Sequence, residues 1–99
     1  FNFHGHQIVA HLSKQKAYIH SNEVDGDSVP VRHFGVILTS ERWKKLKNDL
    51  ISKNIDFIIK PNTRFRDSKG EQSTMFVRDP CGNALEFKSF RDDFMIFER

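Results

Sequence analysis

The stretch Asp79-Pro80-Cys81-Gly82-Asn83-Ala84-Leu85-Glu86-Phe87-Lys88 reads as a tight turn that feeds directly into a strand. Pro80 fixes φ, and Gly82 and Asn83 tolerate the left-handed conformations that reverse a chain. Beyond the turn, the period of two puts Leu85 and Phe87 on one face and Ala84, Glu86 and Lys88 on the other. Glu86 therefore stands opposite the apolar layer. By spacing alone, a carboxylate in that place is more often a solvated face residue than a ligand.

Upstream, residues 73–78 alternate as a second strand, and residues 67–70 are a polar loop. Residues 55–60 predict another strand, and residues 61–66 an irregular or edge continuation after Pro61. Thr39-Ser40-Glu41 supplies a capping hydroxyl and an acidic first turn. Trp43, Leu46, Leu50 and Ile51 then recur at helical spacing to Lys53, and Asn54 can close the helix in the left-handed region. Residues 31–38 predict a strand with Phe34, Val36 and Leu38 on one face and His33, Gly35 and Ile37 on the other. His33, like Glu86, faces away from the bulkier apolar layer. Residues 31–90 thus spell strand, helix, strand, strand, strand.

Before that unit, residues 1–14 suggest a hairpin, 1–3 against 6–12, reversing at His4-Gly5. Ile8, Ala10 and Leu12 share one face of its second strand, and Gln7, Val9 and His11 the other. Residues 15–30 are polar and rich in Asn, Asp, Gly and Ser, the expected linker. Residues 91–99 form a tail apolar enough to pack on the body or on a partner. The chain opens without Met inside a strand pattern, so we expect further residues before Phe1.

With 99 residues, the chain supports one core and one domain. Ten Phe against one Trp and one Tyr supply large apolar area without a polar handle, which suits a filled core or a homodimer contact. The net charge of +3 comes from interspersed signs, broken only by Trp43-Lys44-Lys45-Leu46-Lys47 on a helix face. A solvated surface accounts for that cluster, and nucleic acid is not an expected partner. Cys81 is the single cysteine, which excludes an internal disulfide and fits a reducing compartment. No apolar run reaches bilayer length and no signal-like segment opens the chain. The expectation is a soluble, cytoplasmic protein without a membrane partner.

A strand-helix-three-strand unit resembles the vicinal oxygen chelate superfamily when it carries a histidine on its first strand, Asp-Pro-x-Gly-Asn at its last turn and Leu-Glu-Phe on its last strand. That superfamily includes glyoxalase, bleomycin resistance and extradiol dioxygenase proteins. The residues that carry the resemblance are His33 in Arg32-His33-Phe34-Gly35-Val36 and Glu86 in Asn83-Ala84-Leu85-Glu86-Phe87. It implies an α+β fold in which βαβββ modules form a curled mixed sheet, here a first module incomplete at its N-terminus and a complete second one. It also implies that His33 and Glu86 are ligands of one divalent metal, with His11 as the first module's ligand. Counted from the turn glycine, the residue level with Glu86 is Val9, so His11 fits only a tighter turn, and Gln7 is the alternative. The remaining ligand would precede Phe1.

Imidazole and carboxylate together suit iron, manganese, nickel or zinc, and a few protein ligands leave positions open for a small substrate that chelates through adjacent oxygens. A Lewis acid there can stabilise an enediolate, or a ferrous ion can hold a catecholate beside dioxygen. The resulting expectation is a metal-dependent dioxygenase or lyase with Glu86 also taking part in catalysis. The rival is a non-enzymatic, drug-type binding protein of the same fold. Arg64 with Phe65 is a candidate clamp for an anionic substrate, against the alternative that edge-strand arginines block pairing. His4, His6 and His20 suit solvated positions, and Asp79 suits a structural cap of its turn.

Overall fold

The computed structural model describes residues 1–12, 21–24, 26–30 and 32–91. Its centre is a mixed sheet of four strands in the order β5-β8-β7-β6, crossed by one helix. The strands are β5 (His33–Ile37), β6 (Phe57–Arg64), β7 (Gln72–Arg78) and β8 (Ala84–Phe90), and the helix is α1 (Ser40–Ser52). β5 runs parallel to β8, whereas β6–β7 and β7–β8 are antiparallel. Two hairpins accompany the sheet: β1 (Asn2–Phe3) with β2 (His6–Gln7), and β3 (Ser21–Val24) with β4 (Asp27–Pro30). This is the small α+β architecture expected for residues 31–90.

Local chemistry sets the helix limits. The Thr39 hydroxyl accepts a hydrogen bond from the Arg42 amide, and Asn54 beyond the last turn adopts φ 55°. Trp43 is buried, and Leu46 and Leu50 pack beside it on a core of Leu38, Met75, Val77 and Phe87. Ile51 points outward, about half exposed. The Trp43 indole Nε1 donates to the Phe87 carbonyl at 2.9 Å, which satisfies its polar edge inside an otherwise apolar layer.

The helix occupies one face of the sheet, with Leu85 and Phe87 of β8 turned toward it. Phe3 of the first hairpin packs on that same side, its ring 6.1 Å from Phe34 and 6.2 Å from Phe87. The second hairpin meets the opposite face, where Val29 joins Ile59 and Phe76 in a smaller core. Arg64 and Asp27 close that junction at 3.1 Å.

Several boundaries differ from the sequence reading. The second half of the expected linker is the hairpin β3–β4, turning through Gly26 at φ 83°. Its Asp25-Gly26 pair was a hairpin signal masked by the polar composition around it. Residues 8–12 do not continue β2: Val9 and Leu12 are exposed, and among the described residues no strand pairs with them. The continuation expected after Pro61 is present: β6 runs on through it to Arg64 as an edge strand, where register shifts between Phe57 and Asn62 take up the missing N–H. The expected packing of the tail, and the position of His20, fall outside the described residues. Among those that are described, no helix is long and apolar enough to cross a membrane.

Gly35 sits opposite Glu86 in the β5–β8 pair, and a Cβ built on it falls inside the Glu86 carbonyl oxygen. The obstacle is backbone and cannot swing aside. Gly35→Ala is expected to lower Tm by more than about 10 °C in a thermal melt followed by circular dichroism. An unchanged Tm would show that β5 does not lie this close to β8.

Candidate functional site

The face away from the helix carries His33 and Gly35 from β5, Glu86 and Lys88 from β8, Thr74 and Phe76 from β7, and Ile59, Asn62 and Arg64 from β6. His33 is level with Ala84, two residues before Glu86 along β8. Because Ala84 is small and Gly35 has no side chain, the imidazole reaches diagonally to the carboxylate. The His33 Nε2 to Glu86 Oε1 distance is 3.4 Å. The pair is half-shielded, with side chains 30% and 12% exposed.

The imidazole is oriented from behind. Its Nδ1 lies 2.7 Å from the Pro30 carbonyl oxygen, an acceptor that has no proton to give, so Nδ1 must be the donor. That leaves Nε2, the nitrogen facing Glu86, as the variable position. The Phe76 ring packs edge-on to the imidazole at 5.0 Å and limits its swing. The carboxylate is oriented as firmly. The hydroxyl of fully buried Thr74 donates to Glu86 Oε2 at 2.6 Å, and Lys88 Nζ stands 3.7 Å from the same oxygen. Only Oε1 is turned to His33.

An unprotonated Nε2 and a carboxylate oxygen are both acceptors, and at this distance they repel unless a cation lies between them. A proton on Nε2 meets the requirement, and so does a divalent ion. Two ligands bound at about 2.1 Å with an interligand angle between a right angle and the tetrahedral value stand about 3.0–3.4 Å apart. The observed separation matches, so the donor pair fits a metal as two adjacent ligands. Among the described residues no group of three His, Cys, Asp or Glu side chains converges. His11, although described, does not join the pair, and neither do His4 or His6; His4 packs with Phe3 and Phe87 on the helix side of the sheet. Gln7 lies exposed in β2.

Arg64 is buried, with Nη2 on Asp27 Oδ2 and its guanidinium 5.9 Å from the Phe76 ring centroid. Its charge is matched within the protein. Phe65 follows at φ 56° and is 45% exposed. A shallow groove of about 600 Å³ between the β3–β4 turn and β6 is lined by Asp27, Ile59 and Asn62 but by neither His33 nor Glu86; it brings no reactive pair together. Sequence reading did not single out Thr74 and Lys88. Alternation along β7 places Thr74 opposite Met75, but only cross-strand register shows that its hydroxyl reaches Glu86.

The turn before β8 sets that register. Asp79 Oδ1 accepts from the Cys81 and Asn83 amides, and Oδ2 from the Asn83 side chain. Burial pushes the Asp79 carboxyl up, but these bonds and one from the Gly82 amide outweigh it and hold the group below the ordinary carboxylate range.

Among solved structures, the chain is similar to a crystal structure of a glyoxalase/bleomycin resistance protein/dioxygenase from Alicyclobacillus acidocaldarius. The TM-score is 0.78 and the identity 33%, over 97% of this chain and 68% of that one. The chain belongs to that family, within the vicinal oxygen chelate superfamily. A virulence protein from Salmonella typhimurium aligns over 61% of this chain and 46% of its own at 23% identity and a TM-score of 0.46, too little to bear on function. No family model and no protein of curated function matches the sequence. Membership gives the fold a small-molecule context and makes the open face of the sheet, rather than the helix side, the place to look for a ligand.

A carboxyl held below its usual range stabilises the fold above the unfolded-state value, and that contribution is lost as the pH falls through the folded-state value. Asp79→Ala is therefore expected to cost about 1 kcal/mol at neutral pH in urea unfolding, with the difference from wild type closing below about pH 4. A difference that persists at low pH would mean that the carboxylate charge is not what holds the turn.

Proposed function

We propose that this vicinal oxygen chelate protein is a divalent-metal-dependent enzyme acting on a small substrate that chelates through adjacent oxygens, with His33 and Glu86 as two of the ligands. The observation that carries the reading is the 3.4 Å approach of Nε2 and Oε1, with each side chain fixed from behind by a separate hydrogen bond. A solvated face residue needs no such fixing. Pro30 holds His33 with Nε2 forward, and Thr74 holds Glu86 by Oε2, so each ligand presents one atom.

When bound, a divalent ion supplies Lewis acidity to the substrate's oxygens. Everything else falls to the chain. His33 and Glu86 bind and orient, and Phe76 with Val29 and Ile59 keeps water from the back of the site. A catalytic part for Glu86 as proton acceptor would need Oε1 to be released from the ion, since Oε2 is held by Thr74. Arg64 acts at a distance in this reading: its pairing with Asp27 secures the hairpin that leads to Pro30. Phe65, at the end of β6, offers an aromatic surface to a flat substrate. A third ligand, from His11 or from a second copy in a homodimer, would complete the set. Iron, manganese, nickel and zinc all accept this donor chemistry.

Metal content of the purified protein by mass spectrometry, with Zn²⁺ titration of the demetallated form, tests the reading. Stoichiometric metal in wild type, with affinity at least about tenfold weaker in both His33→Ala and Glu86→Ala, is the expected result. Metal-free wild type that ignores Zn²⁺ and still binds small aromatic compounds would favour the drug-type binding protein instead.

A further inference from the structure

We infer that Arg64 is a carboxylate-binding site held shut by the protein's own Asp27, and that its ligand is a small monocarboxylic acid gripped by the Nε and Nη2 donors together. The site stands apart from the metal reading, since none of the atoms it uses belongs to His33 or Glu86.

One donor is left over in the pair. Arg64 is almost fully buried, and its Nε has no hydrogen-bond partner among the described residues. A buried N–H without an acceptor costs free energy, and more so on a charged group. Nε and Nη2 form one edge of the guanidinium, a two-donor fork that matches the two oxygens of a carboxylate. Asp27 fills only half of it. Arg64 Nη2 donates at 3.1 Å and Asn62 Nδ2 at 3.4 Å, both to the same oxygen, Asp27 Oδ2.

Asp27 is the movable half of the pair. Its side chain is 31% exposed, against 7% for Arg64, and it follows Gly26 at the turn of the β3–β4 hairpin, where φ is 83°. It also lines the groove of about 600 Å³, together with Ser28, Lys60 and Asn62. That groove gives a displaced carboxylate somewhere to go and an incoming acid a way in. Arg64 stays behind, its guanidinium 5.9 Å from the centroid of the fully buried Phe76 ring. Release of Asp27 leaves β4 in place, because Val29, two residues on, is buried with Ile59 and Phe76. Pro30 therefore keeps its position behind His33.

Charge selects the class of ligand. Asp27 balances Arg64 with one negative charge, and a monocarboxylate in its place restores that balance with one hydrogen bond more. A dianion such as hydrogen phosphate would bring a second charge that Arg64 does not match, next to a buried group.

Acetate is the probe, and the readout is the arginine Nε–Hε region of ¹H–¹⁵N spectra of the whole chain. The Arg64 resonance, assigned by its loss in Arg64→Lys, is expected to shift saturably with sodium acetate. The midpoint is expected on the order of 10 mM, because the tethered Asp27 competes at a millimolar-scale effective concentration. Sodium chloride at equal ionic strength is expected to leave the resonance in place. Asp27→Asn keeps the shape of the side chain, removes its charge, and is expected to tighten acetate about tenfold. A wild-type Arg64 resonance that acetate leaves unmoved, acetate binding no tighter in folded Asp27→Asn, or phosphate binding tighter than acetate would each overturn the inference. Should Asp27→Asn fail to fold, the wild-type titrations decide alone.

Discussion

The parallel contact between Gly35 of β5 and Glu86 of β8 is the constraint on which the rest of the structure depends. Nothing larger than glycine fits against the Glu86 carbonyl, and the missing side chain leaves the surface beside Glu86 open for His33 to reach across. The same pairing aligns Phe34 and Val36 with Leu85 and Phe87 on the helix side. One backbone contact therefore sets both the packing of the core under α1 and the convergence of the two polar groups on the other face. Parallel strands require a long connection; here it passes through α1, β6 and β7, which is why residues so distant in sequence become neighbours.

Burying part of an imidazole and a carboxylate on a sheet face costs free energy unless their remaining hydrogen-bonding capacity is met. The protein meets it asymmetrically. Pro30 and Thr74 satisfy the rear atoms, and the forward atoms are left facing each other. A cation between the forward atoms relieves their repulsion, and either a proton on Nε2 or the proposed divalent ion can supply it.

Much of this was legible in the sequence where the determining chemistry is local. The Asp79–Asn83 turn, the Thr39 cap and the facing of His33 and Glu86 follow from residue preferences and a period of two. The hairpin at residues 21–30 was obscured because its turn pair lies in a polar stretch that composition alone assigns to a linker. Arg64 shows a different limit: its place on an edge strand was readable, but its burial depends on Asp27 in a hairpin that sequence did not reveal. Thr74 acquires its role from strand register, which sets it opposite Lys88 and brings its hydroxyl diagonally onto Glu86, 12 positions further along the chain. The first hairpin packs through Phe3 on the helix side of the sheet, a tertiary choice that no local pattern specifies, and His11 was not brought to the pair.

In the proposed metal site, His33 keeps its proton on Nδ1 and turns Nε2 forward to a cation that it shares with Glu86. Long-range ¹H–¹⁵N correlation spectra of the histidine side chains, recorded before and after Zn²⁺ addition, test it most directly. The expected result is a protonated Nδ1 in every state and a Zn²⁺-induced shift confined to Nε2 of His33, abolished by Glu86→Ala. An unprotonated Nδ1, or a His33 resonance that Zn²⁺ leaves unmoved, would contradict it.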